Sequence, residues 1–219
     1  MRRVIIATPA HDGRVDAEYA YSLAETIRLG ERSGIDIRML IMPGEAIIQK
    51  ARSELIRDAI KFEFDDLIFI DSDQSWKPEW VMRLLNHQVD CVGGAVRIKS
   101  EAESYNVNIK RAIQEDEGKQ LLLVGGLGTG FIRLSKRAMQ VLWEAGTPYQ
   151  DDYGNHCRWV LQIDVKNGRI VSEDINMAAT LAKAGIQVYL DPTITCDHIG
   201  RKKYTGDFMQ YLRRITIAT

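Results

Sequence analysis

Four consecutive large apolar residues, Leu67, Ile68, Phe69 and Ile70, lie between Asp65-Asp66 and Asp71-Ser72-Asp73. Side chains alternate faces along a strand, so this run predicts a strand apolar on both faces, the kind buried in a parallel sheet between helices. Residues 4–8 repeat the pattern and end in the turn formers Thr8-Pro9-Ala10-His11-Asp12-Gly13. A helix follows from 16 to about 32, with Ala17, Ala20, Leu23, Ala24 and Ile27 as its apolar stripe, then a strand at 35–41. A second helix, about 46–62, places Ile48, Ala51, Leu55 and Ala59 on the stripe facing the sheet. This alternation predicts right-handed crossovers and a parallel sheet at least through Ile70.

Beyond Ile70, Trp76-Lys77-Pro78-Glu79 opens a helix that runs on through 80–86, and 91–96 reads as another inner strand. Its Gly93-Gly94 pair admits a ligand, a neighbouring backbone or a bulge. Residues 101–118 form a polar excursion with a short strand at 105–109, and strands at 121–124 and 131–134 flank a glycine-rich loop at 125–130. That loop lacks the Lys and Ser/Thr of a phosphate-cradling P-loop and opens no helix, so a dinucleotide fingerprint fits poorly. Ser135 caps a helix over 135–144, a polar loop spans 149–156, and Asn167-Gly168 turns a hairpin between 158–165 and 169–171. Ser172-Glu173-Asp174 precedes a helix at 175–184 closed by Gly185. Strands at 186–190 and 193–196, the run Asp197-His198-Ile199-Gly200, a basic tail Arg201-Lys202-Lys203 and a last helix at 205–215 complete the chain.

At 219 residues, with 45% hydrophobic and 27% charged positions, the chain fits one large α/β domain. A net charge of -1 argues against nucleic acid as a partner. Three scattered cysteines suit a reducing compartment and inert buried thiols. The apolar run after Met1-Arg2-Arg3 is too short for a signal peptide or membrane span, so cytoplasm is the expected location.

In an open α/β sheet, ligands bind at the carboxyl ends of strands, where Asp71-Ser72-Asp73 lies. If the extended conformation persists, Asp71 and Asp73 point to one side, where they repel unless a cation or water intervenes. Mg²⁺ or Mn²⁺, sharing its shell with a substrate's phosphates, is the natural filler. The alternative is that these acids cap the following helix. Glu173-Asp174 and His198 also stand at element edges, where site residues collect. For the two acids the alternative is favourable contact with the helix macrodipole, and for His198 a satisfied surface residue.

Phe69-Ile70-Asp71-Ser72-Asp73, Gly128-Thr129-Gly130-Phe131, Ser172-Glu173-Asp174 and His198-Ile199-Gly200 resemble, in this order, the motifs of GT-A fold glycosyltransferases, the small viral and bacterial members above all. The resemblance implies a single GT-A domain over 1–219, with 1–100 mainly binding a nucleotide sugar and 101–219 mainly serving the acceptor and the catalytic base. It implies that Asp73 ligates Mn²⁺ (or Mg²⁺) directly, that Asp71 meets the ribose or the metal through water, and that His198 is a further ligand. An inverting transfer then needs a carboxylate to take the acceptor proton, Glu173 or Asp174, with the resemblance leaning to Asp174. Thr8 and Pro9 would border the base, Arg52 the diphosphate, and Ser72, Arg97 and Lys99 the donor; Gly128, Thr129 and Gly130 would meet the acceptor or donor sugar. Ser53 stands where many relatives have Asn, which leaves the nucleotide open, with UDP the expectation. Trp76 and Trp159 could stack on a sugar ring or fill core space. Partners are then a nucleotide sugar and a glycan or other hydroxyl acceptor. Two other readings stay open: a sugar-phosphate nucleotidyltransferase, although residues 8–15 carry only one Gly and one Arg, and a non-catalytic nucleotide-sugar-binding module.

Overall fold

The computed structural model describes residues 1–109, 114–116, 119–151, 153–200 and 202–217; parts of the predicted polar excursion (110–113, 117 and 118), Asp152 and Arg201 of the basic tail lie outside them. The first half comprises β1 (Arg2–Ala10), α1 (Ala17–Arg32), β2 (Ile35–Pro43), α2 (Ile48–Lys61), β3 (Asp66–Ile70), β4 (Gln74–Ser75), α3 (Pro78–Asn86) and β5 (Cys91–Val96). Next come β6 (Val107–Ile109), β7 (Gln114–Asp116), β8 (Lys119–Leu127), β9 (Phe131–Ser135), α4 (Lys136–Ala145), β10 (Thr147–Gln150) and β11 (His156–Trp159). The remainder is β12 (Asp164–Lys166), β13 (Arg169–Val171), α5 (Glu173–Lys183), β14 (Val188–Ile199), β15 (Lys203–Tyr204) and α6 (Phe208–Ile217).

The main sheet runs β2-β1-β3-β9-β5-β14-β8-β6, with β4 and β15 on β14 and β7 on β8. As the alternating pattern predicts, β2, β1 and β3 are parallel neighbours. β5 and β14 are parallel as well, while β9 runs antiparallel between β3 and β5 and β8 runs antiparallel beside β14. The result is a mostly parallel α/β sheet flanked by helices. Alternation along β1 and β3 sends Ile5, Ala7, Leu67 and Phe69 into one core cluster with Leu55, Met139 and Leu181 of α2, α4 and α5. Val4, Ile6, Ile68 and Ile70 join Leu23 and Leu84 of α1 and α3 on the other face. Asp66, at the start of β3, accepts hydrogen bonds of 2.6 Å from Arg2 Nε and Arg133 Nε, so the buried carboxylate is paired as burial demands.

Several expectations are corrected. The buried side of α1 is Tyr19, Ser22, Leu23, Thr26 and Gly30, whereas Ala17, Ala20 and Ala24 are exposed. Hydrogen bonding turns the helix: Thr26 Oγ1 donates to Ser22 O and accepts from Trp76 Nε1 at 2.9 Å, and Ser22 Oγ accepts from Trp76 N. Trp76 is thereby a core residue, edge-on to Tyr19. Trp159 packs edge-on to Tyr149. The two ends of the polar stretch 149–156 lie in strands, because β10 pairs antiparallel with β11, and the expected strand 158–165 is divided between β11 and β12. The expected strands 186–190 and 193–196 are one strand, β14, with a register shift between Leu190 and Thr195. Gly93 and Gly94 serve packing: a Cβ on Gly93 would lie 2.5 Å from Phe131 O, and one on Gly94 2.2 Å from Ile194 Cγ2. Ser135 caps α4 as expected, accepting from Ala138 N at 3.2 Å. All three cysteines are buried and free, and burial pushes the Cys91 thiol up to about 12.

Candidate active site

The switch in strand order at β1, with β2 to one side and β3 to the other, sets a crevice beyond the carboxyl ends of the strands. A cavity of about 420 Å³ opens there, and its wall includes Arg52 of α2, Asp71 after β3, Gln74 of β4, Arg97 after β5, Gly128, Thr129 and Gly130 of the β8–β9 loop, Glu173 of α5 and His198 of β14. Eight predicted site residues from distant parts of the sequence, Arg52, Asp71, Arg97, Gly128, Thr129, Gly130, Glu173 and His198, therefore face one space.

The extended run stops at Ile70. Gln74 N donates to Asp71 O at 3.3 Å, making a turn of Asp71-Ser72-Asp73 in place of the expected straight strand end, and the two carboxylates acquire separate cations. Asp71 Oδ1 accepts from Arg52 Nη2 at 2.6 Å, and Glu173 Oε1 stands 3.7 Å from Arg52 Nη1. Asp73 lies outside the cavity wall and reaches it through His198, whose Nε2 is 3.3 Å from Asp73 Oδ1; Lys99 Nζ bonds Oδ2 at 2.5 Å. Burial alone would raise the Asp73 pKa, but the hydrogen bonds from His198 and Lys99 outweigh it and hold the carboxyl at about 2. Neither acid caps α3, whose N-cap is Lys77.

His198 Nδ1 lies 2.8 Å from Arg97 O. A carbonyl only accepts, so Nδ1–H is the donor in this contact, and Nε2 is the ring nitrogen that faces Asp73. A carboxylate beside an imidazole whose far nitrogen is pinned to a backbone carbonyl is a donor set that fits Mn²⁺ or Mg²⁺, with Lys99 as the internal cation to be displaced. A second cluster, Glu54, Asp151 and Cys157, also brings ligand-type atoms within 4.8 Å of one another. Its cation is Arg57, with Nη1 3.3 Å from Asp151 Oδ2 and 3.0 Å from Cys157 Sγ, a clamp between α2 and the β10–β11 hairpin.

Glu173 and Asp174 open α5 together but differ in surroundings. Asp174 is buried, its Oδ1 accepts from Ile175 N at 2.9 Å and from Ser172 Oγ, and it is no part of the cavity wall; Glu173 is. Arg97 is also 4% exposed, and its guanidinium is engaged by the carbonyls of Ile98, Ser100, Glu101 and Ser104, so it braces the 98–104 loop. Thr8 is fully buried with Oγ1 2.5 Å from Tyr19 OH, and neither it nor Pro9 reaches the cavity. Ser72 O accepts from Asp16 N at 3.0 Å and ties this turn to α1.

Among the described residues, five buried side-chain polar atoms lack a hydrogen-bond partner: Arg52 Nε, Gln74 Nε2, Gln74 Oε1, Arg97 Nε and His87 Nδ1. All but the last belong to residues of this one wall. Buried polar groups are ordinarily paired, so the concentration marks a place built for a polar ligand. Gln74 escaped sequence reading, since one amide directly after Asp73 is indistinguishable from a solvated turn residue.

No protein-family model matches the sequence, and no curated protein matches it. Among solved structures the chain is similar to A197 from STIV, at a TM-score of 0.56 and 17% identity, over 94% of this chain and 94% of that one. That likeness establishes the shared fold. Looser likenesses join it to a mutant of Drosophila beta-1,4-galactosyltransferase 7 in complex with manganese, UDP-Gal and xylobiose (TM-score 0.44, 12% identity, 98% of this chain and 74% of that one). Another is the inositol-1-phosphate CTP transferase from T. maritima (TM-score 0.43, 9% identity, 87% and 85%). Both are too distant to bear on function. No helix among the described residues is long and apolar enough to cross a membrane.

Proposed function

We propose that the protein is a metal-assisted glycosyltransferase that moves a sugar from a nucleoside-diphosphate sugar, UDP-linked by expectation, to an acceptor hydroxyl with inversion. The observation that carries this reading is the cavity wall itself, where a guanidinium, carboxylates, an imidazole and four orphaned polar atoms converge from separate elements. Asp73 and His198 would hold the divalent cation. When bound, that cation offsets negative charge on the departing diphosphate, the Lewis-acid role.

The protein's own groups do the rest. Arg52 is permanently charged, and its Nε–H has no partner among the described residues, so the guanidinium can turn from Asp71 toward a diphosphate oxygen. Glu173, in the wall, is the better placed of the two candidate bases to take the acceptor proton, whereas Asp174 is held by Ser172 Oγ and Ile175 N. Thr129, 3% exposed, lies in the wall between Gly128 and Gly130, whose missing Cβ atoms let Asn106 and Gln74 pack closely against the β8–β9 loop where a sugar would sit. The chain works as one domain in this reading, although His198 of the second half joins Asp73 of the first in the metal set.

The test is Mn²⁺-dependent release of nucleoside diphosphate from a panel of sugar nucleotides, with Asp73→Asn as the control. The variant is expected to lose at least about 100-fold in turnover, the scale of several kcal/mol of charge stabilisation. Equal turnover by variant and parent defeats the reading, and pyrophosphate release from a nucleoside triphosphate plus a sugar phosphate would replace it with nucleotidyl transfer.

A further inference from the structure

Gln74 is 0% exposed, and both ends of its side-chain amide lack a partner. The finding does not depend on which end is oxygen, because both are orphaned. The residue is fixed by its backbone: it pairs with His198 in the β4–β14 ladder, and its N donates to Asp71 O. The amide head lies over Gly130, where a Cβ would come within 2.4 Å of Gln74 Nε2 and 2.8 Å of Asp71 Oδ2. The missing side chain of Gly130 makes room for the amide head, and Gln74 forms part of the cavity wall. Burying it without partners is destabilising, so the fold tolerates a cost here that packing alone does not explain.

The chemistry of the amide narrows what it meets. A phosphate oxygen only accepts and would satisfy Nε2 alone; a divalent cation would satisfy Oε1 alone. Two neighbouring hydroxyls, one donating to Oε1 and one accepting from Nε2, satisfy both at once. We propose that Gln74 is a specificity-determining residue that reads a pair of adjacent hydroxyls on the transferred sugar, with Gly130 shaped to let it do so. This rests on the transferase reading above and adds to it the residue that distinguishes a sugar nucleotide from the bare nucleotide.

The experiment is titration calorimetry of the full chain with Mn²⁺ present, using UDP and a panel of UDP-hexoses, on the parent, Gln74→Met and Gln74→Leu. The parent is expected to bind one hexose nucleotide at least about tenfold tighter than UDP, and the variants to lose that increment while holding UDP affinity within about twofold. Because the amide has no partner among the described residues, the ligand-free variants are also expected to melt about 3 °C above the parent. A purely structural glutamine would do the opposite, so a lower melting temperature in both variants overturns the proposal. So does equal weakening of UDP and UDP-hexose, which would place the amide on the nucleotide or the metal, or no weakening of either. A parent that binds UDP with Mn²⁺ but gains nothing from any hexose overturns the Gln74 assignment alone; a parent that binds neither overturns the transferase reading with it.

Discussion

Replacing Arg52 by methionine isolates the ion pair at the centre of the cavity. The Arg52 side chain is 4% exposed, against 27% for Asp71 and 21% for Glu173. Its guanidinium also overlies the Phe69 ring at 5.8 Å, a contact that the methionine stem largely keeps, so the substitution removes charge more than packing. Breaking a fully buried pair by deleting one partner costs about 3–5 kcal/mol. Both carboxylates reach water and can rehydrate, which reduces the expected loss for Arg52→Met to about 2–3 kcal/mol. Urea unfolding in metal-free buffer reads this as a lower midpoint at unchanged slope. The double variant Arg52→Met with Asp71→Asn should lose at least about 1 kcal/mol less than the sum of the singles, since the second change removes the charge that the first left uncompensated. A single variant within about 0.5 kcal/mol of the parent, or a strictly additive cycle, would refute the claim that these groups are coupled.

Asp191, fully buried, accepts from His87 Nε2 at 2.8 Å, Arg83 Nε at 2.5 Å and Thr193; burial opposes ionisation, but these hydrogen bonds prevail and hold its pKa at about 2. The unfolded chain takes up the proton first as pH falls, so this contribution is complete above pH about 4 and disappears through about 2, an effect on the order of 2 kcal/mol. Denaturant titrations at pH 6, 4 and 2.5 should show Asp191→Asn less stable than the parent at pH 6 and flatter below pH 4; parallel curves would contradict the assignment. Gly93→Ala would press its Cβ to 2.5 Å from the Phe131 carbonyl, a backbone atom of the paired strand β9 that cannot rotate aside. A loss of about 3 kcal/mol is expected from thermal unfolding, and a melting temperature equal to the parent's would show that the strands separate freely.

The buried strands β1 and β3 could be read from the chain because an apolar run on both faces has few other stable destinations, and the parallel β2-β1-β3 core follows from the helices between them. The caps and punctuation were equally local: Ser135 before α4, Asn167-Gly168 in the β12–β13 hairpin with Asn167 at φ 52, and Gly185 after α5 at φ 75. The acids, the arginine and the histidine could be nominated by type and order, but their convergence could not. Arg52, Asp71, Glu173 and His198 meet only because β3, α2, α5 and β14 end at one crevice, a relation among residues up to 146 positions apart that no local pattern encodes. The orientation of α1 likewise depended on a distant partner, Trp76, whose two N–H groups draw Ser22 and Thr26 inward against the alanine stripe. Tertiary structure also separated Glu173 from its neighbour Asp174, since adjacent helix positions point about 100° apart and only one of them faces the cavity. Gln74 owes its significance wholly to what surrounds it: burial without a partner is a property of three-dimensional packing, and no residue carries it in isolation.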